Sequence, residues 1–146
     1  MVPGALSSVA SSRPTGSATK RFLRVLYADD VPELRDLIRL ALSREGHGVE
    51  CVADGVLALG RATADAGFDL VITDHHMPNM TGLELVAHLR EQGFPGRIIV
   101  FSSELSDTIS AEYHRLNVDR ILYKPVYPSV LRQILLDLFP GVGGRR

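Results

Sequence analysis

Four short apolar runs in this chain each lead into a residue type that phosphate chemistry requires. Asp29 and Asp30 follow VLYA, Asp74 follows DLVIT, Ser102 follows RIIVF, and Lys124 follows ILY and precedes Pro125. Three clustered carboxylates repel one another, and without a cation one of them tends to take up a proton. Mg²⁺ removes that conflict, because it takes oxygen ligands and uses carboxylates beside phosphate. Mn²⁺, which suits the same carboxylate and water ligands, is the alternative ion. A serine hydroxyl donates to a phosphoryl oxygen, and lysine binds phosphate as a point charge. Together these residues describe a divalent-cation site beside a carboxylate that can carry a phosphoryl group.

Each residue also has a plainer explanation. Asp29 and Asp30 sit where a helix cap would favour aspartate. Ser102 suits an ordinary turn. Asp74 is harder to dismiss, since a charge at the end of a buried strand is costly unless paired or metal-bound. Lys124 fits poorly as packing and well as a fixed cation. The Lys124–Pro125 bond invites a cis peptide, which would aim the lysine side chain.

The residues need a scaffold that brings them together. Phe22 to Ala28 predicts a buried strand, and Pro32 opens a helix with Leu34, Leu37, Ile38, Ala41 and Leu42 at helical spacing. Gly46 and Gly48 end that helix, and His47 to Val52 forms a weaker strand. Asp54-Gly55 is a turn or cap signal before a helix carrying Val56, Leu57, Leu59 and Ala62. Phe68 to Thr73 is the clearest central strand, since its continuous apolarity fits a sheet covered on both faces. A loop to Thr81 precedes a third helix, Gly82 to Arg90. Ile98 to Phe101 is a fourth strand, Glu104 to Leu116 a more polar helix, Val118 to Tyr123 a fifth strand, and Tyr127 to Phe139 a strong final helix. Five strands alternating with five helices imply a parallel sheet with helices on both faces. In such a sheet the strand carboxyl ends share one edge, where ligands bind.

Composition is consistent with this. The chain has 146 residues, 45% hydrophobic and 23% charged, so one domain with a full core is expected. The formal charge of −1 gives no overall case for direct nucleic-acid binding. No apolar run approaches the roughly 20 residues needed to cross a bilayer, so no membrane association is expected. Arg13, Lys20, Arg21, Arg145 and Arg146 lie in the tails and every acid lies between them, which leaves the central part acidic. Cys51 is the only cysteine, which excludes a disulfide framework and points to a buried strand thiol. Residues 1–21 and 140–146 are expected to be disordered tails around a domain at 22–139.

The strings VLYADDVPELRDLI, DLVITDHHMPNMTGLELV, RIIVFSSE and ILYKPV, in this order, resemble a response-regulator receiver domain of two-component signalling, of the stand-alone chemotaxis-regulator kind, across residues 22–139. The resemblance implies a flavodoxin-like (βα)5 three-layer sandwich with strand order 2-1-3-4-5. It implies that Asp74 is the phosphoacceptor, Asp30 a direct Mg²⁺ ligand with Asp29 helping, and the backbone carbonyl of His76 a further ligand. Lys124 would hold the phosphoryl group, and Ser102 would be the switch hydroxyl. The implied phosphodonor is a sensor histidine kinase or histidine phosphotransfer protein. The implied output is a protein target at the surface of the fourth helix, fifth strand and fifth helix, in the cytoplasm. Such a domain catalyses only its own phosphorylation and dephosphorylation.

The chain departs from the family pattern at Ile121, three before Lys124, where an aromatic is usual. Tyr123, on the same strand face by alternation, is the expected substitute. Ser103 stands where a small alanine is usual, and His76 and Glu104 flank the site at variable positions. His75-His76 is not expected to chelate a metal, since helical zinc pairs lie four apart. His47, His88 and His114 read as surface or helix-face residues. Only PGVGGRR follows Phe139, so a single-domain regulator is expected, with a module excised from a larger regulator as the alternative. An aspartate-nucleophile phosphatase of the haloacid dehalogenase type would need Asp-x-Asp after the first strand, and here the two aspartates have no spacer. A phosphorylation-independent scaffold would not need all five site residues.

Overall fold

The computed structural model describes residues 22–142. The elements are β1 (Arg24–Ala28), α1 (Pro32–Arg44), β2 (Gly48–Val52), α2 (Gly55–Ala64), β3 (Leu70–Asp74), α3 (Gly82–Glu91), β4 (Arg97–Ser102), α4 (Asp107–Arg115), β5 (Arg120–Tyr123) and α5 (Pro128–Leu138). All strand pairs are parallel, in the order β2-β1-β3-β4-β5. This is the 2-1-3-4-5 sheet of the flavodoxin-like fold. The expected tails, 1–21 and most of 140–146, lie outside the described residues. Val142 is an exception, since it packs into the core at 2% exposure.

Two apolar layers flank the sheet. Val25, Tyr27, Leu70, Ile72, Ile99 and Phe101 meet Ile38 and Leu42 of α1 and Leu131, Leu135 and Leu138 of α5. The alternate strand residues, Leu26, Ala28, Val71, Ile98 and Val100, meet Ala58 of α2, Leu85, Val86 and Leu89 of α3, and Tyr113 of α4. Every residue of β3 is buried, as expected for a central strand covered on both faces. Helical spacing overstated some faces: Leu37, Val56, Leu57 and Val130 are exposed. Their helices meet the sheet along a narrower stripe than the count of apolar residues suggests.

Helix starts follow local chemistry. Pro32 occupies the first turn of α1, where its missing N–H costs nothing. Thr81 and Glu84 form a reciprocal capping box at α3. Asp54 caps α2 by accepting the Leu57 N–H, and Ser106 caps α4 by accepting the Ile109 N–H. α4 therefore starts three residues later than the polar run from Glu104 suggested. Gly46, at φ 94, supplies the left-handed turn between α1 and β2. His47 is not a surface residue: it is 6% exposed, and its Nδ1 accepts the Leu23 N–H at 3.0 Å. The buried Leu23 amide, just before β1, needs an acceptor, and the imidazole supplies it. His88 and His114 are exposed, as expected.

Candidate functional site

The carboxyl ends of β1, β3, β4 and β5 lie side by side, because register pairs Ala28 with Thr73, Asp74 with Phe101, and Ser102 with Tyr123. Asp29 follows the end of β1, its amide donating to the Val52 carbonyl of β2 at 3.1 Å. Asp74 is the last residue of β3. Carboxylate oxygens of Asp29, Asp30 and Asp74 come within 4.8 Å of one another. Lys124 Nζ lies 3.1 Å from Asp74 Oδ1 and 3.6 Å from Asp29 Oδ2. Distant stretches of chain thus bring three acids and one ammonium to one point.

Neither Asp29 nor Asp30 caps α1. The cap position is Val31, without a side-chain bond. Asp29 is fully buried, while Asp30 is exposed. Asp29 Oδ1 accepts the Val31 N–H at 2.9 Å, and its Oδ2 accepts the Tyr27 hydroxyl at 2.7 Å. Arg35 donates to the Asp29 carbonyl at 2.7 Å. Burial, reinforced by the Asp29 charge, holds the Tyr27 hydroxyl well above its ordinary pKa, so it keeps its proton and donates.

Burial pushes the Asp74 carboxyl above the usual carboxylate range; the Lys124 ammonium opposes this shift and the Asp29 charge adds to it. The donor set is therefore all oxygen, crowded, and short of positive charge, which is the chemistry a hard divalent cation satisfies. His76, whose carbonyl was expected beside it, is exposed and borders an open pocket with Asp30, Met77, Pro78 and Thr81.

Ser102 is buried at the end of β4, its hydroxyl donating to the Glu104 carbonyl at 3.1 Å. The Lys124 amide donates to the Ser102 carbonyl at 2.8 Å, and the Lys124–Pro125 peptide is cis, as the sequence suggested. Ser103 and Glu104 are exposed. Ile121 is half-buried against the α3–α4 layer. Tyr123, the register neighbour of Ser102, is 52% exposed.

The adjacent histidines separate. Their rings meet edge-on at 4.7 Å, but His75 is buried and His76 exposed. His75 Nδ1 shares a hydrogen bond with the Tyr113 hydroxyl at 2.6 Å. Tyr27 and Tyr113 carried no signal as site residues beyond apolar strand or helix patterning, and His75 stood out only with His76 as a metal pair, which adjacency argued against. Tyr27 alone was within reach, since it lies two before Asp29 and so shares its strand face.

Comparison with known proteins agrees with this fold. The family model described as "Response regulator receiver domain" matches residues 25–136. The sensory/regulatory protein RpfC of Xanthomonas campestris is 32% identical over 125 residues, covering 83% of this chain and 17% of RpfC. The sensor histidine kinase AruS of Pseudomonas aeruginosa is 31% identical over 144 residues, covering 94% of this chain and 14% of AruS. This chain thus spans about a sixth of the length of these relatives. Among solved structures, chemotaxis response regulator CheY4 of Vibrio cholerae superposes with a TM-score of 0.74 at 32% identity, covering 80% of this chain and 98% of that one. The receiver domain of the response regulator NarL of Mycobacterium tuberculosis gives 0.73 at 26% identity, covering 84% and 99%. The phosphatase alternative finds no support in these matches. No helix among the described residues is long and apolar enough to cross a membrane. Matched along nearly all of its folded length, and carrying its acids and lysine at the carboxyl edge of a 2-1-3-4-5 sheet, the chain belongs to the response regulator receiver domain family.

Proposed function

We propose that this chain is a phosphorylation switch in which Asp74 accepts a phosphoryl group from a phosphohistidine of a sensor histidine kinase or histidine phosphotransfer protein. The observation that carries this reading is Lys124 Nζ at 3.1 Å from Asp74 Oδ1, beside two further carboxylates. An Asp74 carboxylate oxygen attacks phosphorus, the donor's P–N bond breaks, and the imidazole nitrogen takes up a proton. The product is an acyl phosphate on Asp74, which water later hydrolyses. Such a domain acts on itself and turns over no external substrate.

The residues that would hold Mg²⁺, or Mn²⁺ in its place, are Asp29, Asp30, Asp74 and the His76 carbonyl. A divalent ion held there would screen the incoming carboxylate and draw charge from the phosphoryl oxygens. Lys124 holds the transferred group as a fixed cation, having lost its ion pair with the Asp74 carboxylate. Ser102 exchanges its bond with the Glu104 carbonyl for one to a phosphoryl oxygen, which pulls the loop leading to α4. Tyr123, beside Ser102 and exposed, takes over part of the readout that Ile121 does not supply. The signal passes to a protein target at the α4, β5 and α5 surface, in the cytoplasm.

The test is phosphotransfer from a phosphorylated histidine phosphotransfer protein, with Mg²⁺ and with a chelator. The reading expects Mg²⁺-dependent loss of label from the donor and its stoichiometric gain on this chain. A donor that keeps its label in the presence of Mg²⁺, across a panel of such donors, would overturn it.

A further inference from the structure

The hydrogen bond between His75 and Tyr113 lies beside the site but has no role in the chemistry above. The His75 backbone N–H is shared between Asp74 Oδ1 and the Phe101 carbonyl of β4, each at 3.0 Å. The same residue's carbonyl accepts the Gly82 N–H of α3 at 2.8 Å. Its ring crosses to α4, where Nδ1 meets the Tyr113 hydroxyl at 2.6 Å. Both side chains are buried, Tyr113 completely. One residue therefore touches the reacting carboxylate with its main chain and α4 with its side chain.

The fold leaves little slack around this connection. A Cβ on Gly82 would come within 2.4 Å of the Asp74 carbonyl oxygen, 2.8 Å of the Tyr113 hydroxyl and 3.0 Å of the His75 Cα. The start of α3 is thus pressed against the phosphoacceptor's own main chain and against the Tyr113 hydroxyl. Two rings 5.5 Å apart and edge-on fill the space between the β3 loop and α4. Packed interiors respond to small shifts by switching arrangement rather than deforming smoothly.

We propose that His75 and Tyr113 are positioning residues that tie the state of Asp74 directly to α4, by a route separate from Ser102. Modification of the Asp74 carboxylate changes what the His75 N–H donates to. The His75 main chain then shifts its share toward the Phe101 carbonyl, and the ring carries the movement into Tyr113 and α4. This route acts at the carboxyl-terminal part of α4, whereas the Ser102 loop leads into the amino-terminal part. The inference rests on Asp74 being the phosphorylated residue.

The experiment compares backbone amide NMR shifts on adding beryllofluoride with Mg²⁺ to wild type, Tyr113→Phe, His75→Leu and His75→Gln. Tyr113→Phe keeps the ring and removes only the hydroxyl. His75→Gln retains a side chain able to bond to that hydroxyl. In Tyr113→Phe and His75→Leu, the beryllofluoride-induced shifts of α4 amides near Tyr113 should fall about twofold or more, within the range of coupling carried by single contacts. The Ser102 amide shift should persist, and His75→Gln should restore part of the α4 response. A merely structural bond would lower the melting temperature and leave the ratio of α4 to Ser102 shifts unchanged; that result overturns the tie while leaving the switch intact. A wild type with no shift at Asp74 or Ser102 overturns both.

Discussion

The Tyr27 hydroxyl donates to Asp29 Oδ2 at 2.7 Å, and Lys124 Nζ lies 3.6 Å from the same oxygen. A fully buried carboxylate oxygen thereby meets both a neutral donor and a cation. Tyr27→Phe removes the hydroxyl and nothing else. Hydrogen bonds to charged groups contribute about 1.5–3 kcal/mol, so urea unfolding at neutral pH should show a loss of that order. A variant as stable as wild type would show that Asp29 does not depend on Tyr27.

Lys124 is the only cation seen in contact with both Asp29 and Asp74 among the described residues. Lys124→Met keeps much of the stem and removes the charge. Phosphoryl uptake from acetyl phosphate should slow by about 10²-fold, the size of effect seen when one preorganised electrostatic partner is lost. Initial rates from intact mass would measure this, and a rate near that of wild type would contradict the role.

His47 links stability to pH. Burial lowers its pKa below 6.5, with the nearby Glu45 charge partly opposing the shift. Between the lowered folded value and 6.5 the unfolded chain holds more protons, so stability rises with pH across that window. The contribution is complete above about 6.5 and is lost as pH falls through the folded value, when protonation of Nδ1 breaks its bond with the Leu23 N–H. The melting temperature should therefore fall on acidification from neutral pH, and His47→Gln should flatten that part of the curve. An identical pH profile in the variant would assign the slope to other groups.

Gly82 tests how tightly the site is packed. In Gly82→Ala the new methyl meets main-chain atoms of Asp74 and His75, which cannot rotate away. Overpacking of this kind costs about 1–3 kcal/mol. Thermal unfolding should show the loss, and a neutral effect would mean that α3 can slide.

Most of this arrangement was legible in the sequence because the sheet imposes one rule. Strands such as LVITD open on a continuous apolar run, so a polar or charged residue at their ends marks the shared carboxyl edge. Asp29, Asp74, Ser102 and Lys124 can be placed that way from the sequence alone. What stayed hidden depends on contacts across the fold. Tyr113 lies 38 residues from His75 and looks like any apolar residue of a polar helix. His47 reads as a surface or helix-face residue, and only the approach of Leu23 shows why an acceptor is needed there. Exposure of Leu37, Val56 and Leu57 depends on how each helix is rolled on the sheet, which spacing alone leaves open.

The most direct measurement is intact mass after incubation with a small-molecule phosphodonor and Mg²⁺, comparing wild type with Asp74→Asn. The expected result is one phosphoryl group on wild type, absent without the metal and absent from Asp74→Asn. An unmodified wild type, or an adduct that survives the substitution, would contradict the assignment of Asp74 as the residue that receives phosphate.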